Sequence, residues 1–261
     1  MIKRLLSDDV LRFDEICRSL ALPFSESGET IGTFNEKRVH RAIKLFLSED
    51  SSEHEIKVGS SVADVVTGGI IYEIQTGSFR PLTKKVTSYL KNAKNEIRII
   101  YPVVTKKKIV RLDTSTGEVL RTRTVNTKKT ARNILPELIY LSDLLKNPRL
   151  CFDIYLIETE ERRYSDNVYR YRKKGKRDSE VFPVTLNSIV LLETTDDFLS
   201  LLPEDFVENQ RAAGEGFTAA DFAKATGLLG LDSYHSLGAL CAMGILESHK
   251  EGKKAAVFKF K

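Results

Sequence analysis

The stretch SSVADVVTGGIIYEIQ, residues 60–75, sets two runs rich in β-branched residues on either side of Gly68-Gly69. A two-residue Gly-Gly loop tolerates the positive φ angles of a primed turn, whose twist matches that of two antiparallel strands. With Gly68 and Gly69 as the loop, Thr67 pairs with Ile70, and counting outward brings Asp64 opposite Glu73 and Val62 opposite Gln75. Side chains alternate between faces along a strand, so Glu73 and Gln75 point one way while Tyr72 and Ile74 point the other.

Two carboxylates directly opposite in a hairpin repel, by about 0.2–1 kcal/mol at an exposed site and by more among apolar neighbours. A hairpin with a purely structural role gains nothing from them. A divalent cation reverses the sign, because Mg2+ or Mn2+ takes hard oxygen ligands and fills its other positions with water or phosphate. A loop of different length would slip the register and part the two acids.

Around this hairpin the sequence predicts a helix over 34–48, strands near 54–59, 61–66 and 70–76, a helix over 80–92 and a strand at EIRIIYPVV, residues 96–104. Val39, Ile43, Phe46 and Leu47 fall at helical spacing, as do Leu82, Val86, Tyr89 and Leu90, so each helix has one apolar face to lay on a sheet. Pro81 suits a first-turn position. Thr33-Phe34-Asn35-Glu36 reads as a capping box.

Asp64, a turn and then Glu73-Ile74-Gln75 resembles the Asp…Glu-x-Lys signature of the PD-(D/E)XK nuclease superfamily, with Gln75 where lysine is usual. The order helix, three strands, helix, strand over residues 31–104 is similar to the superfamily core. The resemblance implies an α/β fold with a restriction-endonuclease-like mixed sheet flanked by helices, and Mg2+- or Mn2+-dependent hydrolysis of phosphodiester bonds in DNA. Asp64 and Glu73 would hold the metal. Glu36, on the first helix, would assist it or simply cap the helix. Gln75 would orient water without supplying charge. The missing positive charge would come from Lys84 or Lys85 on the adjacent helix, unless both are exposed helix lysines. His40, one turn beyond Glu36, reads as a surface or core histidine.

The net charge of +5 is unevenly placed. Residues 106–132 hold nine Lys/Arg against two acids and residues 162–177 eight against one, so these runs carry +14 and the remainder −9. A charge run is ordinarily a solvated face. Two concentrated runs, the second interleaved with Tyr164, Tyr169 and Tyr171, point to a polyanion. Candidate phosphate contacts are Lys106, Lys107, Lys108, Arg121, Arg123, Lys128, Lys129, Arg170, Arg172 and Lys173.

With 261 residues, the chain can build one sizeable core and a small second domain. No apolar run approaches a membrane span, and the first residues mix acids with apolar side chains, unlike a signal peptide. Cys17, Cys151 and Cys241 lie far apart without CxxC spacing, which fits a reducing cytoplasm. The expected partner is nucleic acid, DNA in the first place; a homodimer is allowed and a membrane is not.

The sequence divides into an N-terminal extension (1–30), a nuclease-like domain (31–203) and a C-terminal module (211–261). NILPELIYLSDLLKN reads as an amphipathic helix and PEDFVENQRAAGEG as a linker. Beyond it, a Thr218–Asp221 capping box, Gly227, a second helix ending at Gly244 and a Lys-tipped hairpin are similar to a winged-helix domain, which would make residues 232–243 the recognition helix and set Lys250, Lys253 and Lys254 on phosphate. Three functions stay open: a metal-dependent DNA endonuclease, an inactive nuclease-fold DNA-binding protein, and a winged-helix transcriptional regulator.

Overall fold

The computed structural model describes residues 2–3, 7–21, 34–165, 179–250, 252 and 255–261. In chain order the larger unit comprises β1 (Ile2–Lys3), α1 (Ser7–Ala21), α2 (Phe34–Leu47), β2 (His54–Val58), β3 (Ser61–Thr67), β4 (Ile70–Ile74), α3 (Leu82–Asn92), β5 (Glu96–Asp113), β6 (Val119–Asn126), β7 (Leu150–Ser165), β8 (Ser179–Leu192) and α4 (Thr195–Leu199). Among the described residues these strands make one eight-stranded sheet in the order β1-β8-β7-β5-β4-β3-β2, with β6 added to β5. β5 runs parallel to β4 and β7, and the other pairings are antiparallel. The fold is thus mixed α/β, with helices flanking a mixed sheet.

Both faces of the sheet are covered, which explains why β4 and the first half of β5 read as nearly continuous apolar runs. Ile71, Ile97 and Ile99 pack with Leu82, Val86 and Tyr89 of α3. Ile74 and Ile100 pack instead with Phe13 of α1 and Val39, Ile43 and Phe46 of α2. Neighbouring Ile99 and Ile100 therefore enter different cores, each contributing about 1.5–3 kcal/mol on full burial.

β5 continues nine residues past the expected strand end at Val104. Its first half pairs with β4 through Ile100, and its second half pairs with β6 from Lys106 onward along the same edge. The tail of β5, with β6, β7 and β8, forms an arm beyond the core.

Two expectations need correction. NILPELIYLSDLLKN is not one α-helix but two 3-10 turns, Ala131–Ile134 and Glu137–Leu141. Pro136 has no amide hydrogen for an α-helix spanning them, and the chain closes i to i+3 bonds instead, such as Leu135 N–H to the Arg132 carbonyl. The supposed linker is the helix α5 (Glu204–Ala213), closed by Gly214 at φ 68°. Its polar residues form a solvated face, while Phe206 packs on Phe217, Phe222 and Phe260. Helix α5 thus packs against the elements that follow it.

After α5 come β9 (Phe217–Thr218), α6 (Ala219–Thr226), α7 (Leu231–Met243), β10 (Leu246–His249) and β11 (Val257–Phe260), with a β10-β11-β9 sheet. The Thr218–Asp221 capping box and the left-handed Gly227 and Gly244 stand where expected. The expected recognition helix does not present a free face. His235 of α7 meets Tyr140 with ring centroids 5.8 Å apart, and a Cβ on Gly238 would come within 2.8 Å of Ile139. Within α7, Leu231, Asp232 and Tyr234 are exposed, whereas Ser233 and Ser236 are buried. Among the described residues no helix is long and apolar enough to cross a membrane.

Candidate functional site

The Gly68-Gly69 loop forms as expected, with φ values of 57° and 79°. Val65, Val66 and Thr67 pair with Tyr72, Ile71 and Ile70, a register in which Asp64 falls opposite Glu73. Asp64 Oδ2 also accepts the Ile74 N–H at 2.8 Å, tying the middle of β3 to the end of β4.

Glu73 is only 2% exposed. Burying a carboxylate is costly unless it is hydrogen-bonded and paired, and α3 supplies both. Lys85 Nζ donates to both of its oxygens, at 3.0 and 2.8 Å, and the Tyr89 hydroxyl donates to Oε1 at 2.5 Å. Lys85 and Tyr89 stand four residues apart, on one face of the helix. Across the pair, His40 Nε2 of α2 lies 3.2 Å from Asp64 Oδ2. Helices on both sides of the sheet thus reach one pair of acids.

The two carboxyls titrate apart. Burial, reinforced by the nearby Asp64 charge, raises Glu73 above its usual range despite Lys85 and Tyr89. Burial also pushes Asp64 upward, but the His40 hydrogen bond and charge, the Ile74 N–H and Lys85 overcome it and hold Asp64 below its usual range. Burial and the bond to Glu73 drive the Tyr89 phenol far up, so it remains a donor. The environments of the two neighbouring carboxyls thus push their titrations in opposite directions.

Gln75 has a local role. It sits just past β4, where its backbone N–H donates to the Ile100 carbonyl at 2.9 Å and its side-chain Nε2 to the Ser78 carbonyl at 2.8 Å, bracing the loop into α3. Of the two lysines considered, Lys85 is the one joined to Glu73. Glu36 belongs to α2, but its side chain is outside the described residues.

His40 and Tyr89 are the members that sequence reasoning missed. Tyr89 was legible only as an apolar helix position, although a buried phenol needs a polar partner. His40 carried the weaker signal of lying one turn beyond Glu36.

Two carboxylates, with water and phosphate as further ligands, suit Mg2+ or Mn2+ in donor chemistry. Both Glu73 oxygens are engaged by Lys85 and Tyr89, so a cation at Glu73 requires Lys85 to move aside. Among the described residues no group of three or more His, Cys, Asp or Glu side chains could hold a metal ion.

The basic residues divide. Lys106, Lys107 and Lys108 pair with Glu158, Glu161 and Glu160 of β7 at 3.0, 3.0 and 2.9 Å, so their charge is largely met across the sheet. Arg132 donates to the carbonyls of Leu201 and Thr226 and joins the two units. Lys128 and Lys129 are exposed in the loop after β6. Arg121 and Arg123 line one cavity with Arg111 and Arg163. Arg170, Arg172, Lys173, Lys253 and Lys254 lie outside the described residues.

The chain is 27% identical over 188 residues to an uncharacterized protein of Treponema pallidum (strain Nichols), covering 68% of this chain and 71% of that one. No solved structure matches it. The family model described as a domain of unknown function, DUF8091, matches residues 37–193, which hold Asp64, Glu73, Lys85 and the arm, and the chain belongs to that family.

Proposed function

We propose that the chain is a nuclease-like protein that acts on phosphodiester bonds of DNA at the Asp64–Glu73 pair. The observation that carries this reading is the buried Glu73, opposite a second carboxylate and held by Lys85 and Tyr89. A sheet gains no stability from facing carboxylates, which supports a functional role for the pair. Asp64 and Glu73 would hold Mg2+ or Mn2+, which when bound supplies Lewis-acid polarisation and a water of lowered pKa.

The chain's own groups have separate tasks. His40 and the Ile74 N–H fix Asp64 as a charged acceptor. Tyr89 orients Glu73. Lys85 provides the positive charge that Gln75 lacks, and its partial exposure, 36%, lets its ammonium turn outward to a phosphate oxygen. We read the C-terminal unit as winged-helix-like, and the packing of α7 on Ile139 and Tyr140 supports a bracing role over reading a DNA groove.

The engagement of both Glu73 oxygens favours one second reading, a nuclease-fold protein that binds DNA without cutting it. Incubation of the protein with single-stranded, duplex and branched DNA under Mg2+ and then Mn2+ separates them. Cleavage that disappears in Asp64→Asn supports the first reading; binding with no cleavage of any substrate supports the second.

A further inference from the structure

In the arm, Arg111 of β5 lies opposite Arg121 of β6 on one side and Arg163 of β7 on the other, while Arg123 of β6 lies opposite Ile109. Positions in register share a face of the sheet. These four arginines and Ile109 line a single cavity of about 160 Å³. Glu161, in register with Ile109, accepts from Arg163 Nε at 2.6 Å and also pairs with Lys107 at 3.0 Å. Among the described residues no carboxylate pairs with Arg111, Arg121 or Arg123.

Directly opposed like charges destabilise a sheet. Here they also occupy β6, an edge strand whose residues 119–124 are exposed and free of packing constraints. Charge on an edge strand discourages pairing with another chain, and scattered lysines would do that equally well. That reason does not require guanidinium groups from three strands to converge on one hollow. Guanidinium is the group suited to planar, bidentate recognition of phosphate oxygens.

We infer that Arg111, Arg121, Arg123 and Arg163 form a phosphate-binding cleft that seats a backbone phosphate of a nucleic-acid strand. The cavity suits a phosphate group but is small for a whole nucleotide, and a strand supplies phosphate groups with base and sugar left outside. The choice of nucleic acid as the source rests on the proposed function; the convergence of arginines does not. The cleft is separate from the acid pair and acts in binding.

The test uses Arg121→Gln/Arg123→Gln, both on the exposed edge strand, with the full chain and a fluorescently labelled DNA duplex in EDTA, so that no metal contributes. Loss of charge-assisted bonds should weaken binding at least about tenfold, ~1.4 kcal/mol, and flatten the dependence of affinity on salt by about one unit of slope. Arg121→Lys/Arg123→Lys should fall between, because charge is kept and the bidentate fork is lost. The melting temperature should hold or rise as repulsion is relieved, showing that the fold is intact. Unchanged affinity and salt slope in the Gln variant overturn the cleft. Inorganic phosphate or a mononucleotide binding as tightly as the duplex overturns the strand as its ligand. Arginine-dependent binding by a wild-type protein that cuts no DNA leaves the cleft standing and removes the nuclease reading; metal-dependent cleavage with arginine-independent binding does the reverse.

Discussion

Lys85 Nζ reaches both carboxylate oxygens of Glu73, at 3.0 and 2.8 Å, from a helix packed over the strand that carries the acid. This one contact joins the hairpin to α3 and determines what the acid pair can do, since the ammonium compensates a carboxylate that is otherwise shut away from water.

Lys85→Ala should therefore destabilise the fold by about 1–3 kcal/mol, because Glu73 is left with Tyr89 and a net buried charge. Urea denaturation measures it. Lys85→Ala combined with Glu73→Gln should recover part of the loss, since the charge is then gone as well.

Tyr89→Phe removes a buried donor and keeps the ring. The expected cost is about 1–2 kcal/mol, again from urea denaturation, with the Glu73 titration, followed by carboxyl-resolved NMR, moving further upward. An unshifted Glu73 would mean that the 2.5 Å contact carries no electrostatic weight.

The pH dependence follows from the two shifts. Glu73 is raised in the folded state, so its contribution to stability is full below its ordinary value of 4.5 and is lost as pH rises through the folded value. Asp64 is lowered, so its contribution is present above 3.8 and is lost as pH falls through the folded value. Relative to wild type, Glu73→Gln should gain melting temperature as pH climbs above 4.5, and Asp64→Asn should lose it as pH climbs toward and past 3.8. Parallel stability curves for all three proteins would contradict this electrostatic account.

Gly69→Ala tests the hairpin. Its φ of 79° lies in the left-handed region and nothing is within 4 Å of an added Cβ, so the cost is backbone strain alone, about 1–2 kcal/mol. Thermal unfolding would report it.

The acid pair was legible because it depends on local rules: the Gly-Gly loop length sets the register, and the register sets Asp64 opposite Glu73. Helix faces were legible for the same reason, in Val39, Ile43, Val86 and Tyr89. What the sequence concealed is non-local. The carboxylates that meet Lys106, Lys107 and Lys108 come from β7, some fifty residues away, so a charge count over one run overstated its free charge. Arg111 and Arg163 meet only through the parallel β5–β7 pairing, which no local pattern announces. The α5 helix was hidden by its composition, since Phe206 and Val207 supply its buried contacts amid polar neighbours.

The most direct test of the central claim is cleavage of labelled DNA by the purified protein with Mn2+ and with EDTA, run beside Asp64→Asn and Lys85→Ala. The account predicts Mn2+-dependent cleavage by wild type, abolished in Asp64→Asn and reduced about 10²-fold or more in Lys85→Ala, in line with removal of one preorganised charge from a transition state. A wild-type protein that cuts single-stranded, duplex and branched DNA under neither Mg2+ nor Mn2+ would contradict it.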